Sequence, residues 1–178
     1  MKKSIDVYEY MNEIVAGIKN GSLLTVKDGD KVNCMTISWG QIGIEWHKLI
    51  FTVFVRNDRF THEMLEKTNE FSINMSLTNN EDPVQQRILE VCGTESGRDV
   101  DKVEKLDISL VKGKNIETPG LKELPLTLEC KIIYRQFQDK EMMIEEIKDR
   151  FYPKYKLEEY KKYHTMFYGE VVSAYIIK

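Results

Sequence analysis

The chain lacks most of the signatures that identify an enzyme or a binding protein from sequence. It has three cysteines, Cys34, Cys92 and Cys130, far apart and without a Cys-x-x-Cys spacing. That excludes a zinc knuckle and a thioredoxin-like pair, and leaves buried free thiols in a reducing compartment. The three histidines, His47, His62 and His164, have no metal-ligand spacing, so metal catalysis has little support. No Gly-x-Gly-x-x-Gly follows a strand, no Walker lysine pattern occurs, and no Gly-x-Ser-x-Gly marks a serine nucleophile. A dinucleotide, if used, must therefore bind without the usual fold. The apolar runs are too short to cross a bilayer, and Met1-Lys2-Lys3-Ser4-Ile5-Asp6 does not open a signal peptide. A cytoplasmic protein with no membrane partner is expected. A net charge of -3 gives no general attraction to nucleic acid, though a local basic pocket is compatible with it.

What is present is the composition of a globular protein, 42% hydrophobic and 31% charged over 178 residues. No repeat or low-complexity linker divides it, so one domain over residues 1–178 is expected. Val7, Met11, Ile14, Val15 and Ile18 recur at helical spacing before Gly21. Strands are expected at 22–27 and 31–39, joined by a turn at Asp28-Gly29-Asp30. The run Leu49 to Val55 is apolar and β-rich, the pattern of a central strand. A helix from Phe60 to Lys67, a strand from Phe71 to Leu77 and a helix opening at Asp82-Pro83 follow. Ser96 and Asp99 fit the cap of a short helix through Leu106. Strands resume at 108–111, 126–137 and 166–177, with Gly169 as a bulge. A charged helical insert is expected at about 138–163, interrupted at Pro153, with a solvated face. Inserted rather than alternating helices point to a mainly β protein, a barrel with peripheral helices.

Two stretches carry the chemistry. In Arg56-Asn57-Asp58-Arg59-Phe60-Thr61 a buried strand ends and a helix begins, so backbone N–H groups, the Thr61 hydroxyl and the guanidinium groups of Arg56 and Arg59 can converge on one anion. Asp58 or Thr61 as a helix cap is the competing reading. In Gly93-Thr94-Glu95-Ser96-Gly97-Arg98-Asp99 the glycines allow close backbone approach and Ser96 can donate to phosphate; first-turn helix charges explain Asp99, Asp101 and Lys102 equally well. On the strand Asn33 to Trp39, Asn33, Met35, Ile37 and Trp39 share one face, and Cys34, Thr36 and Ser38 the other. Small polar side chains and main-chain groups there suit the edge of a flat heteroaromatic ring. Barrel packing accounts for Trp39 and Trp46 as readily as ligand contact does. His164 reads as a proton donor, a substrate contact or a structural hydrogen-bonder. A binding site is thus more legible than catalytic side chains, as in an enzyme whose cofactor carries the reaction.

Four segments in order, Asn33 to Gly40, Thr52 to Thr61, Cys92 to Lys102 and His164 to Glu170, resemble the flavin reductase-like family of FMN-binding split barrels, which includes flavoredoxin-type proteins. The resemblance implies a six-stranded Greek-key split β-barrel and a homodimer with FMN near the subunit interface. It implies that Asn33, Met35, Thr36, Ile37, Ser38 and Trp39 meet the flavin ring and ribityl chain. Arg56, Arg59 and Thr61 would bind the phosphate, with Ser96, Gly97, Arg98 and Lys102 nearby, and His164 would stand close to the flavin face. The activity it implies is NAD(P)H-dependent flavin reduction, with NADH or NADPH passing hydride to the flavin. The alternative is an FMN-containing electron carrier served by a redox-protein partner. One departure is His47-Lys48-Leu49, where many relatives carry a proline, so a different loop shape is expected there.

Overall fold

The computed structural model describes residues 1–78, 80–152 and 163–178. A short strand β1 (Lys2–Ser4) and a 3-10 turn at Val7–Tyr10 lead into helix α1 (Met11–Asn20), which buries Ile14 and Gly17. The expected hairpin, β2 (Ser22–Asp28) and β3 (Lys31–Ile37), closes at Gly29-Asp30, with Ser22 opposite Ile37 and Asp28 opposite Lys31. Strand β3 stops at Ile37, leaving Ser38 and Trp39 beyond it.

Strands β4 (Gly40–Glu45) and β5 (Lys48–Arg56) form a second hairpin. Its turn places Trp46 at φ 52° and His47 at φ 57°. Two consecutive positive φ values are the geometry of a tight two-residue hairpin, usually built with Asn-Gly. Strand β4 was not expected, because its glycine-containing sequence Gly40-Gln41-Ile42-Gly43-Ile44-Glu45 has little β propensity. Helix α2 (Phe60–Lys67) and strand β6 (Glu70–Met75) follow. Helix α3 (Pro83–Thr94) starts as expected, with Asp82 accepting from the Val84 N–H at 2.8 Å.

The next helix, α4, covers only Lys102–Lys105. Its cap is Asp101, which accepts from Val103 N and Glu104 N, and not the Ser96 and Asp99 pair expected; the Ser96 hydroxyl instead accepts from Arg98 N at 3.2 Å within the preceding turn. Short strands β7 (Leu110–Val111) and β8 (Gly120–Leu121) form a separate small sheet. Long strand β9 (Leu126–Phe137) precedes a 3-10 turn at Lys140–Met142, helix α5 (Glu145–Phe151) and strand β10 (His164–Ile177). The interruption expected at Pro153 and the rest of the charged insert to residue 162 lie outside the described residues.

The main sheet runs β3-β2-β6-β9-β10-β5-β4, with β1 added to β10. The six long strands legible in the sequence are all in it; β4 and β1 extend it. Its path is open, and β3 and β4 are its ends. Gly169 stands at a register shift between β9 and β10. A Cβ there would lie 2.5 Å from Phe71 Cζ and 2.7 Å from Cys130 Cβ, so only glycine lets the strand bend over this ring.

Period-two alternation sorts the side chains into two cores. Leu24 and Val26 of β2 and Phe51, Val53 and Val55 of β5 point into the barrel interior, with Phe71, Leu128 and Phe167. Leu23 and Cys34 point the other way, into a second cluster with Ile88, Leu89 and Cys92 of α3. All three cysteines are free and buried. The second cluster matters for the site because it locks the C-terminal end of α3 against β3.

Candidate functional site

Two adjoining hollows lie where β3, β5, α2 and α3 meet. The first is a groove of about 250 Å³ lined by Met35, Thr36, Ile37, Ser38, Trp39, Phe54, Arg56, Arg59, Gly93 and His164. Five consecutive lining residues mean that it follows the backbone edge of β3 rather than one face of the strand. The sheet explains this: β3 is an end strand paired only with β2, so its outer edge carries unladdered N–H and C=O groups. The two-face division expected for residues 33–39 therefore does not decide which of them border the groove. The Thr36 hydroxyl is spent on the Leu89 carbonyl at 2.6 Å, which ties β3 to α3.

The second hollow, about 120 Å³, shares Met35, Arg59 and Gly93 with the first and adds Asn33, Thr61, Ser96, Gly97, Arg98 and Lys102 among its walls. Thus all fourteen residues singled out from the sequence, His164 included, border one or both hollows. Asn33 donates to the Thr61 hydroxyl at 2.9 Å and lies beneath Gly97, where a Cβ would overlap Asn33 Oδ1 and stand 2.9 Å from Phe60. Gly97 is required here by close approach. Helix α2 begins at this hollow, and among the described residues no side chain caps it; neither Asp58 nor Thr61 fills that role. Its N-terminal end is left open to an anion.

The cations in this pocket differ. Arg98 is committed: it donates to the Asp58 carbonyl at 3.2 Å and pairs with Glu63, pinning its loop across the start of α2. Lys102 is 4% exposed, and among the described residues its Nζ reaches only the Glu95 carbonyl, at 3.4 Å. The Glu95 carboxylate turns instead to Lys105, at 2.6 Å. Among the described residues no carboxylate pairs with Lys102, nor with Arg59. Burial lowers the Lys102 pKa, the nearby thiols of Cys92 and Cys34 oppose that shift, and Arg59 adds to it. A buried ammonium without a counter-ion is costly unless an anion joins it.

At the far end of the groove His164 is 5% exposed, with its ring centroid 4.9 Å from that of Trp39. Burial, and then Arg56 and Arg59, lower its pKa to about 4, so the imidazole is neutral at neutral pH. Its Nδ1 lies 2.8 Å from the Tyr152 hydroxyl. Phe151 packs edge-on against Trp39 at 5.4 Å, and Arg56 approaches the Phe151 carbonyl at 3.5 Å. The charged faces of α5 are exposed as expected, yet its C-terminal end packs against Trp39 and Arg56, two residues that line the groove. Sequence reading missed Phe54, Phe151, Tyr152 and Gln138. The signal for Phe54 was available, since it alternates with the core residues Val53 and Val55; nothing local marks the other three.

A phosphate fits the second hollow: Lys102, Arg59, Ser96, Thr61 and an open helix end are complementary to an oxyanion. Along residues 35–39 the groove offers a flat ring backbone polar groups and the Trp39 indole. Fold and site together define a split-barrel protein with a cation-lined hollow beside a groove bordered by Trp39, Phe54 and His164. The chain belongs to the flavin reductase-like family, whose model, described as a flavin reductase like domain, matches residues 19–178.

Among curated proteins it is 29% identical over 112 residues to an uncharacterized protein of Archaeoglobus fulgidus, covering 62% of this chain and 59% of the relative. It is 26% identical over 104 residues to another of Pyrococcus abyssi, covering 58% and 56%. The matches thus span less than two thirds of those relatives. Among solved structures it resembles flavoredoxin of Desulfovibrio vulgaris (TM-score 0.65, 21% identity, 89% of this chain and 69% of that one). It also resembles an NADH:FAD oxidoreductase of Streptomyces globisporus (TM-score 0.62, 16% identity, 98% and 87%). A third is an FMN-binding domain of a flavin reductases-like enzyme from Shewanella baltica (TM-score 0.67, 16% identity, 99% and 77%). At these identities the likenesses establish the fold.

Proposed function

We propose that this chain binds FMN and acts as an NAD(P)H-dependent flavin reductase. The observation that carries the reading is Lys102, a buried cation with no carboxylate partner among the described residues, in a pocket with Arg59 and the uncapped start of α2. The phosphate would sit on Lys102, Arg59, Thr61 and Ser96, with Asn33 orienting the Thr61 hydroxyl and Gly97 giving the backbone room to approach. Arg98 would act by holding the loop in place rather than as a primary ligand. The ring would lie along residues 35–39, where the free backbone edge of β3 can meet its polar rim. When bound, FMN supplies the hydride-accepting ring.

The remaining contributions belong to the protein. Trp39 and His164 border the groove, and Phe151 packs edge-on behind Trp39, so the indole is held in place beside a bound ring. Arg56 and Arg59 place positive charge along it, which stabilises negative charge gained by a bound ring. Neutral His164 offers hydrogen bonding without adding a charge of its own. No side-chain nucleophile is needed.

We place a second copy of the chain on the surface around the end strand β4, where Ile44, Trp46 and Tyr134 are exposed. The deciding experiment is anaerobic bleaching of the FMN-loaded protein by NADH and by NADPH, alongside FMN affinity by fluorescence. Rapid bleaching supports the reductase. Tight FMN without bleaching assigns the chain to the electron carriers, and failure to take up FMN overturns the proposal.

A further inference from the structure

His164, which lines the groove, is held by a hydrogen-bond chain that the flavin-reductase reading does not need. The Gln138 backbone N–H donates to the His164 carbonyl at 3.0 Å, so the ends of β9 and β10 are joined. The His164 N–H returns to Gln138 Oε1 at 3.3 Å, which fixes that atom as the amide oxygen. Tyr152, delivered by the end of α5, places its hydroxyl 2.7 Å from the same oxygen and 2.8 Å from His164 Nδ1. An amide oxygen can only accept, so the single phenolic proton goes to Gln138. Nδ1 must then carry a proton and donate it to the phenolic oxygen. In a neutral ring that leaves Nε2 bare, and it has no partner among the described residues. Tyr152 is itself buried and stacked on Tyr163 at 4.8 Å, so its hydroxyl is held in place.

We propose that Tyr152 is a positioning residue: through Gln138 it fixes His164 as the Nδ1–H tautomer, so that the groove presents a bare Nε2 acceptor and selects a reductant ring bearing an N–H donor, the carboxamide of a reduced nicotinamide. This rests on the reductase reading for its substrate and on the geometry alone for its tautomer. It also reverses the proton-donor role open to His164 in the sequence, since the nitrogen available to a ligand has no proton to give.

Long-range nitrogen–proton NMR of the isotope-labelled protein at neutral pH reads the tautomer directly. The wild type is expected to show protonated Nδ1 and bare Nε2. Tyr152→Phe should move the tautomer ratio about fivefold towards Nε2–H, the scale of one hydrogen bond. Gln138→Leu keeps the phenol but frees its proton to be given to Nδ1, and should shift the ratio the same way. Nε2–H in the wild type, or an unchanged ratio in both variants, overturns the positioning role. For the substrate, Tyr152→Phe should raise KM for the reduced nicotinamide cofactor about threefold or more with kcat little changed. It should leave KM unchanged for the reduced acetylpyridine analogue, whose methyl ketone has no N–H. Equal effects on both overturn the carboxamide contact. A wild type that oxidises neither nucleotide refutes the reductase reading and the substrate half with it, while the NMR result still decides the role of Tyr152.

Discussion

Replacing Lys102 by methionine separates a phosphate ligand from a structural cation. Methionine keeps the unbranched stem that fills the space between α3, α4 and β3, and removes only the ammonium. Lys102 is 4% exposed and its strongest described contact is a carbonyl at 3.4 Å, so little is lost from the protein itself. Removing a buried charge without a counter-ion should raise the stability of the FMN-free protein by about 1–2 kcal/mol. Binding should move in the opposite direction. A hydrogen bond between charged groups contributes about 1.5–3 kcal/mol, which corresponds to about tenfold to a hundredfold in Kd for FMN. Riboflavin, which has the ring and ribityl chain but no phosphate, should bind Lys102→Met and the wild type alike. Flavin fluorescence titration measures both ligands, and urea unfolding of the flavin-free proteins measures the stability change. Equal losses for FMN and riboflavin would refute the phosphate assignment. Unchanged FMN affinity with a large loss of stability would show that Lys102 is structural.

Stability should fall as pH drops from 6.5 towards about 4, because His164 stays neutral in the folded protein while the unfolded chain takes up its proton. The contribution is at most about 3 kcal/mol, and the pH-dependent difference between wild type and His164→Gln in urea unfolding isolates it from His62. Gly169→Ala should destabilise by about 2–3 kcal/mol, since the added methyl meets Phe71 at 2.5 Å and Cys130 at 2.7 Å; thermal unfolding with the midpoint unmoved would contradict the overlap. His47→Gly should stabilise by about 1 kcal/mol, relieving a non-glycine residue at φ 57° in the β4–β5 turn, as read by denaturant midpoint.

Much of the site was legible because its parts are local. Arg56, Arg59 and Thr61 fall within one strand-to-helix junction, and Ser96, Gly97, Arg98 and Lys102 within the short stretch 96–102, so short-range chemistry suggested anion binding at both. Gly169 as a bulge was likewise readable from a single glycine in a long β-rich run. Local signals failed where the backbone ran against its own propensities. Strand β4 carries two glycines and closes on Trp46 and His47 at positive φ, so neither its strand nor its turn has the usual residues.

The amino-acid sequence by itself determined the elements, the mainly β class and the two polar stretches, because helix spacing, strand alternation and capping act over a few residues. Tertiary structure decided what those stretches do together. Pairing order left β3 at the end of the sheet with an open backbone edge, and burial against α3 took the Thr36 hydroxyl out of play. Packing also drew the carboxylates of Glu63 and Glu95 to Arg98 and Lys105, leaving Lys102 without one among the described residues. The end of α5 reached back to give His164 its tautomer through Tyr152 and Gln138, residues far from it in kind and marked by no motif. Charge balance and proton placement depend on which groups share a low-dielectric pocket, and that is a property of distance in space.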